Sequence, residues 1–181
     1  MKTLFTCLLA FALVFSISVG ANAETFIFGG GGTDFKAFNS TDGYNIEKNW
    51  GYSGGFAKTL SPKVSAITTY DYVVTKATDS AGIVSNLYEN EVFVSVAYLL
   101  NSPESKLQFR ILAGIEYTDG NIPDYSSILS FANGFSISYV LSDNGMSVFG
   151  AGNFSFSEDY YDGKLRVGIT YPVGNLIGGI L

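Results

Sequence analysis

Apolar and polar side chains alternate along much of this chain. Residues 106–119 read KLQFRILAGIEYTD, with Arg110 and Glu116 at polar positions and apolar side chains at every second position: Leu107, Phe109, Ile111, Ala113, Ile115 and Tyr117. Successive side chains of a β-strand point to opposite faces, so the pattern predicts a strand with one apolar face. No segment after residue 23 keeps a helical period for more than a few residues, which predicts an all-β fold.

The same alternation predicts eight strands, at residues 24–38, 50–60, 64–75, 88–100, 106–119, 127–141, 146–157 and 164–173. Short turns (LSPKV, LNSPESK and LSDNG) follow the second, fourth and sixth strands. The other connections are longer, polar and mostly acidic, at residues 39–49, 76–87, 119–126 and 158–163. Alternating short and long connections are typical of an eight-stranded antiparallel up-and-down transmembrane β-barrel. The even strand count places both termini at the short-turn end, which is the periplasmic end in this topology.

Tyrosines decide which face of the strands is outside. Tyr88 and Tyr98 are ten positions apart on one face, about 25 Å in a tilted strand, which matches the apolar band between two aromatic girdles. The girdle residues are Trp50, Tyr52, Tyr70, Tyr72, Tyr88, Tyr98, Tyr117, Tyr139 and Tyr171. The apolar face therefore points to lipid, and charged side chains point into the lumen: Asp71, Glu89, Glu91, Arg110, Glu116, Lys164 and Arg166.

An eight-stranded barrel is filled by its own side chains, so these lumenal charges are expected to pair. We expect Arg110 to pair with Glu91 and Glu116. The alternative hypothesis for the same charges is a narrow ion path.

The N-terminus predicts export. Lys2 precedes an apolar stretch that ends at Ala21-Asn22-Ala23, so residues 1–23 read as a cleaved signal peptide and residues 24–181 as the barrel. The single cysteine, Cys7, leaves with the signal, so stability does not depend on disulfides. Loss of Lys2 changes the net charge from −6 to −7, which argues against nucleic acid as a partner.

The last predicted strand contains RVGITYPV, in which Arg166, Gly168, Tyr171 and Val173 follow the C-terminal assembly pattern of outer-membrane barrels. With the strand pattern, this resembles the small OmpA/OmpX-type outer-membrane β-barrels over the whole of residues 24–181. The resemblance implies an outer-membrane location with periplasmic termini, contact with membrane lipid and lipopolysaccharide, and insertion by the outer-membrane assembly machinery. Two departures are Pro172 and the continuation of the chain past the signal, GNLIGGIL.

Candidate chemistry is sparse. Enzymes among the small outer-membrane barrels use, by this resemblance, a histidine beside a serine or aspartate, and this chain has no histidine, so we expect no enzymatic activity and no cofactor. Gly29–Gly32 lacks the following helix and lysine of a phosphate loop and is expected to allow strand curvature or close packing in the barrel wall. Glu158, Asp159 and Asp162 lack Ca²⁺-loop spacing and are expected to form a solvated acidic loop.

Three functional hypotheses follow. The first is a non-enzymatic integral outer-membrane barrel that supports envelope integrity or uses its surface loops for interaction and adhesion. The second is a narrow porin-like channel for ions or very small solutes. The third is a secreted soluble lipocalin-like barrel, which requires an apolar lumen and a polar exterior, the reverse of the predicted orientation.

Overall fold

A computed structural model describes residues 24–38, 45–78, 81–120, 127–156 and 160–173. Within them the chain forms eight β-strands: β1 (Thr25–Phe38), β2 (Asn45–Ser61), β3 (Val64–Thr78), β4 (Val84–Leu99), β5 (Leu107–Gly120), β6 (Ser127–Val140), β7 (Ser147–Phe156) and β8 (Tyr160–Pro172). No helix in this part of the chain has the length and apolarity needed to cross a bilayer.

Each strand pairs antiparallel with its neighbours in sequence, and β1 pairs with β8 from Phe26 opposite Pro172 to Phe38 opposite Tyr160. The sheet is therefore a closed up-and-down barrel without free edges. This confirms the predicted fold class. The signal peptide at residues 1–23 lies outside the described residues.

Four strands continue past their predicted limits, always at the long-loop end. β2 begins at Asn45, β3 ends at Thr78, β4 begins at Val84 and β8 begins at Tyr160, three to five residues beyond the sequence prediction. Alternation of polar and apolar residues identifies a strand only where one of its faces is in apolar surroundings. Strand ends that project past the apolar band do not show this alternation. The long connections are consequently shorter than predicted.

Burial follows the predicted orientation of the strands. On β4, Glu89, Glu91 and Ser95 are buried, whereas Val96 and Tyr98 are 53% and 45% exposed. Large apolar side chains cover the outside on every strand from β2 to β8, while most buried polar side chains face inward. Inside the barrel a small apolar layer, formed by Phe93, Ala97, Leu112 and Ala132, packs on the short-turn side of Glu91. The polar face is the inside of the barrel.

The four consecutive glycines of β1 lie where β1 and β8 approach closely. A Cβ on Gly30 would stand 2.1 Å from the carbonyl oxygen of Val167, and one on Gly32 would stand 1.8 Å from that of Leu165. Both contacts are with backbone atoms, which cannot move aside without breaking the β1–β8 pairing. Close packing therefore requires glycine at positions 30 and 32 of the run.

The orientation of β4 predicts a difference in stability between two arginine substitutions. Val94 lies on the outward face between Tyr88 and Tyr98, so Val94→Arg should lower the free energy of unfolding by about 2–4 kcal/mol by placing the charge in hydrocarbon. Ser102→Arg, in the exposed turn between β4 and β5, should change it little. Reversible denaturant unfolding in liposomes measures both variants, and equal losses would contradict an outward-facing Val94.

Candidate functional site: the charged lumen

Lys164 is the centre of an ion cluster that joins opposite walls of the barrel. Its Nζ lies 2.7 Å from Glu91 Oε2, 2.5 Å from Glu116 Oε2 and 3.4 Å from Asp162 Oδ2. Every one of these side chains is at most 1% exposed. Glu91 comes from β4 and Glu116 from β5, across the lumen from β8, so one ammonium group links the two halves of the sheet.

Further hydrogen bonds hold the carboxylates of this cluster. Ser155 on β7 donates its hydroxyl to Glu116 Oε1 at 2.7 Å, while Lys164 occupies the other oxygen of the same carboxylate. A buried ion pair recovers its desolvation cost only when its remaining lone pairs and protons are also satisfied. The serine on the neighbouring strand supplies such a partner.

Arg166 forms a second cluster two positions further along β8. Its Nε lies 3.0 Å from Asp71 Oδ1 and 2.9 Å from Ser53 Oγ, and its Nη1 forms an ion pair with Asp34. Nη1 also donates to the carbonyl oxygen of Thr33 at 3.0 Å. The Ser53 hydroxyl donates in turn to Asp71. This cluster ties β8 to β1, β2 and β3.

The two clusters are neighbours in the lumen. Asp71 of the Arg166 cluster lies opposite Glu91 of the Lys164 cluster in the β3–β4 register. Two carboxylates side by side repel each other, so each depends on the cation that it contacts. Glu89, which is 1% exposed, continues the same inward row of β4 toward the long-loop end.

Arg110 lies on the inward face of β5, as the sequence predicts, but its partners differ from the predicted ones. It lies near the short-turn end of β5, where it donates to Ser138 Oγ at 2.9 Å and to the Gln108 side chain. The predicted pairing of Arg110 with Glu91 and Glu116 is wrong, because both carboxylates contact Lys164. Glu116 is six residues further along the same strand, about 20 Å away, which exceeds the reach of an arginine side chain.

Sequence reasoning missed two members of the network. Asp162 was assigned to a solvated acidic loop, but it lies on β8 and is fully buried beside Lys164. Asp34 lies on β1, on the inward face that Gly30 and Gly32 also occupy, and is 4% exposed. The parity of each strand would have identified both residues if β8 had been extended and the glycine run had been read in register.

The predicted girdle residues lie at the two ends of the outer surface. Near the long-loop end, the rings of Trp50 and Tyr52 are 5.1 Å apart, and Tyr72 stacks on Tyr88 at 6.2 Å. The Tyr70 hydroxyl donates to Asn90 Oδ1 at 2.6 Å. Near the short-turn end, the Nζ of Lys63 lies 6.0 Å from the centre of the Tyr98 ring. Tyr139 is exposed, and three girdle residues are half-buried, Tyr72, Tyr117 and Tyr171.

The four residues of the C-terminal assembly pattern have different positions in the barrel. Arg166 carries ion pairs in the lumen, and Gly168 packs against β1, where an added Cβ would be 2.2 Å from the carbonyl oxygen of Gly29. Tyr171 is half-buried and pairs with Ile27 of β1, near the end of the β1–β8 register. Val173 follows the end of β8. The pattern thus includes residues that the folded barrel needs for its own closure.

Together these side chains close the middle of the lumen. The largest fully buried side chains in the described residues are Phe93, Lys164, Glu89, Glu91, Glu116, Val73, Asp71, Asp162 and Ser155. All face inward, so an apolar layer and two ion clusters occupy the space where a pore would run. The arrangement is suited to crosslinking strands.

The ion cluster predicts which lumenal cation matters most for stability. Lys164→Met should lower the free energy of unfolding by about 3–5 kcal/mol, because it leaves Glu91 and Glu116 buried without their cation. Arg110→Met should cost about 1 kcal/mol, since it removes hydrogen bonds to two neutral side chains. Unfolding in liposomes compares the two variants.

A triple variant separates charge from packing. Lys164→Met combined with Glu91→Met and Glu116→Met should be less destabilised than Lys164→Met alone, because apolar groups of similar volume replace the ions. If the triple variant is the weaker of the two, or if Arg110→Met costs as much as Lys164→Met, then Lys164 does not hold these carboxylates.

Solved structures show where this fold occurs. The attachment invasion locus protein Ail of Yersinia pestis, in complex with the heparin analogue sucrose octasulfate, superposes with a TM-score of 0.60 at 15% identity, covering 83% of this chain and 98% of that one. Neisserial surface protein A gives 0.61 at 11% identity, with coverage of 83% and 98%. The N-terminal β-barrel domain of Pseudomonas aeruginosa OprF gives 0.52 at 15%, with coverage of 81% and 97%.

These likenesses show the fold. This chain has the architecture of eight-stranded outer-membrane barrels, as the sequence predicted. No protein-family model matches the sequence, and no curated protein matches it either.

Proposed function

We propose that this chain is a non-enzymatic integral outer-membrane β-barrel with a closed lumen, which supports the envelope and presents its long-loop end for surface interaction. The observation that carries the proposal is the combination of an apolar outer surface with a charged, fully buried interior. In water this distribution would be unfavourable, whereas in a bilayer it satisfies both surroundings.

The outer surface supports a membrane location. Leu129 and Val167 are each 67% exposed, and Ile115 and Ile169 are exposed by more than half. These side chains belong to the outward rows of three strands, β5, β6 and β8, and Val148 and Phe156 continue the apolar surface on β7 between them. A soluble lipocalin-like barrel would instead place apolar side chains in the lumen around its ligand, so this third hypothesis is not favoured.

The lumen supports a closed barrel over a channel. An ion crossing it would have to displace Phe93, which is fully buried, and separate Lys164 from Glu91 and Glu116. Breaking such a pair leaves buried charges without partners, at a cost of about 3–5 kcal/mol. We therefore propose the closed barrel in preference to the narrow channel.

Absence of enzymatic activity remains part of the proposal. The chain contains no histidine, and in the part of the chain that the structure describes Ser53 and Ser155 donate their hydroxyls to Asp71 and Glu116 inside the lumen. Both serines are buried, so a substrate at the membrane surface does not reach them.

Charge indicates which surface ligands the long-loop end would accept. Ail is described with a sulfated, highly anionic sugar analogue. In this chain the segments between the long-loop strand ends carry acidic residues: Asp42, Asp79, Asp124, Glu158 and Asp159. Like charges repel, so we propose that the surface ligands of this chain are neutral or cationic and do not include sulfated polysaccharides.

The closed lumen predicts that the wild-type protein carries no ionic current. In planar bilayers it should show no unitary current steps, whereas Phe93→Ala combined with Lys164→Ala should admit water and give measurable steps. Ser102→Ala, in the exposed turn, serves as the matched control and should remain closed. Regular unitary steps from folded wild-type protein would favour the channel hypothesis instead.

The topology predicts the accessibility of two exposed positions. The chain after residue 23 has no cysteine, so single cysteines can be introduced without background. Ala81→Cys, between β3 and β4, should react with a membrane-impermeant maleimide on intact cells, and Ser102→Cys, between β4 and β5, should react only after the outer membrane is opened. The reverse result would invert the barrel in the membrane.

A further inference from the structure

Arg110 differs from the other lumenal cations in its partners. Of the three cations that the structure describes on the inward faces of the strands, Lys164 and Arg166 form ion pairs with carboxylates. Arg110 contacts only neutral side chains, those of Ser138 and Gln108. A charge removed from water is stabilised best by an opposite charge, and neutral hydrogen bonds supply only part of that stabilisation. Arg110 therefore retains the capacity to bind an anion.

An apolar layer separates Arg110 from the carboxylates of the lumen. Leu112 belongs to this layer and lies between Arg110 and Glu116 on β5. On the neighbouring strand β6, the inward side chains at the height of Arg110 are uncharged, namely Ser136 and Ser138. The half of the lumen next to the short turns thus contains a cation that the two ion clusters do not neutralise.

Hydrogen bonds hold the guanidinium group of Arg110 in place and leave part of it open. Its Nη1 donates to Ser138 Oγ at 2.9 Å, and its Nη2 donates to the side-chain oxygen of Gln108. These bonds use two of the five N–H groups that an arginine carries. Its Nε makes no hydrogen bond with the described residues and is not enclosed by protein atoms, so it is open to solvent. A fixed guanidinium with free N–H groups is suited to accept carboxylate or phosphate oxygens.

An open cavity lies at the same end of the barrel. It has a volume of about 250 Å³ and lies between the β4–β5 and β6–β7 turns, where Pro103 forms part of its lining. Gln108 connects Arg110 to this lining, because its Nε2 donates to the carbonyl oxygen of Pro103 at 3.1 Å. The cavity is also lined by three charged residues in exposed turns, Lys106, Glu104 and Asp143. Water and salt screen these exposed charges, so a small anion can approach from this end.

We infer that Arg110, held by Ser138 and Gln108, forms a binding site for a small soluble oxyanion, a carboxylate or a phosphate group, at the short-turn mouth of the barrel. Two oxygens of such a group accept side by side from a guanidinium, which a single spherical anion such as chloride cannot do. In the proposed topology this mouth opens to the periplasm, so the ligand would be a periplasmic solute. The compartment rests on the proposed function, whereas the binding site itself does not.

Arginine side-chain signals in a nuclear magnetic resonance spectrum test the site directly. The chain after residue 23 contains two arginines, Arg110 and Arg166, and hence two Nε–H groups. Isotope-labelled barrel in detergent micelles is titrated with sodium phosphate or sodium acetate, with NaCl keeping the ionic strength constant. The Arg110 signal should shift and saturate with a Kd of about 1–10 mM, the affinity expected from two charge-assisted hydrogen bonds, while the Arg166 signal stays in place. The two salts distinguish a phosphate ligand from a carboxylate ligand.

Three variants separate the arginine geometry from positive charge alone, with binding followed through the backbone amide signals of β5. Arg110→Lys keeps the charge but loses the planar fork, and should bind about tenfold more weakly. Ser138→Ala removes the partner of Nη1 and should bind severalfold more weakly. Lys63→Met is the matched control, because Lys63 is a cation at the same end that lies beside Tyr98 on the outer surface, and it should bind as wild type does.

Thermal unfolding gives a second measurement that does not depend on resolved signals. At constant ionic strength, the preferred oxyanion should raise the unfolding temperature of the wild type and leave that of Arg110→Met unchanged. The inference is overturned if neither salt moves the Arg110 signal more than NaCl does, or if Lys63→Met weakens binding as much as Arg110→Lys. Micelles leave both mouths of the barrel accessible, so neither result bears on the proposed membrane location.

Discussion

A single buried ammonium group, that of Lys164, is the interaction on which the closed barrel depends. It lies within 2.7 Å of two carboxylates on the opposite wall, Glu91 and Glu116, and within 3.4 Å of Asp162 on its own strand. Without it, the inward rows of β4 and β5 would carry negative charges in a space from which water is excluded. This contact holds the two walls at side-chain distance across the lumen.

The outer surface sets a second constraint. In the proposed bilayer, lipid cannot hydrogen-bond to backbone groups, so an open sheet edge would be unfavourable, and the closed sheet brings β1 against β8. The glycines at positions 30 and 32 allow this approach because a side chain there would collide with backbone carbonyl groups of β8. Strand β8 therefore takes part in both interactions. Its backbone packs against Gly30 and Gly32 of β1, and its Lys164 and Arg166 side chains form the ion pairs in the lumen.

The sequence predicted the number of strands, their order and their inward and outward faces, because alternation is strong wherever one face of a strand is apolar and the other polar. It failed in two places for physical reasons. Beyond the apolar band both faces are polar, so the starts of β2, β4 and β8 carried no periodic signal, and Asp162 was assigned to a loop. The predicted partners of Arg110 were also wrong. Which side chains meet inside a barrel depends on their height along the barrel axis and on the stagger of the strands, and the inward or outward parity of a residue gives neither.

Among the described residues, Lys164 and Arg166 carry the lumenal ion pairs, and their placement on β8 has a consequence for the order in which the barrel can form. Asp34, Asp71, Glu91 and Glu116 belong to strands that are synthesised first, and their partners Lys164 and Arg166 belong to the last. A sheet that lacks β8 would therefore hold like charges on its concave face and would keep that face hydrated. Docking of β8 brings Lys164 and Arg166 to these carboxylates and completes the hydrogen-bonded ring in the same event, so charge pairing in the lumen and closure of the sheet are coupled.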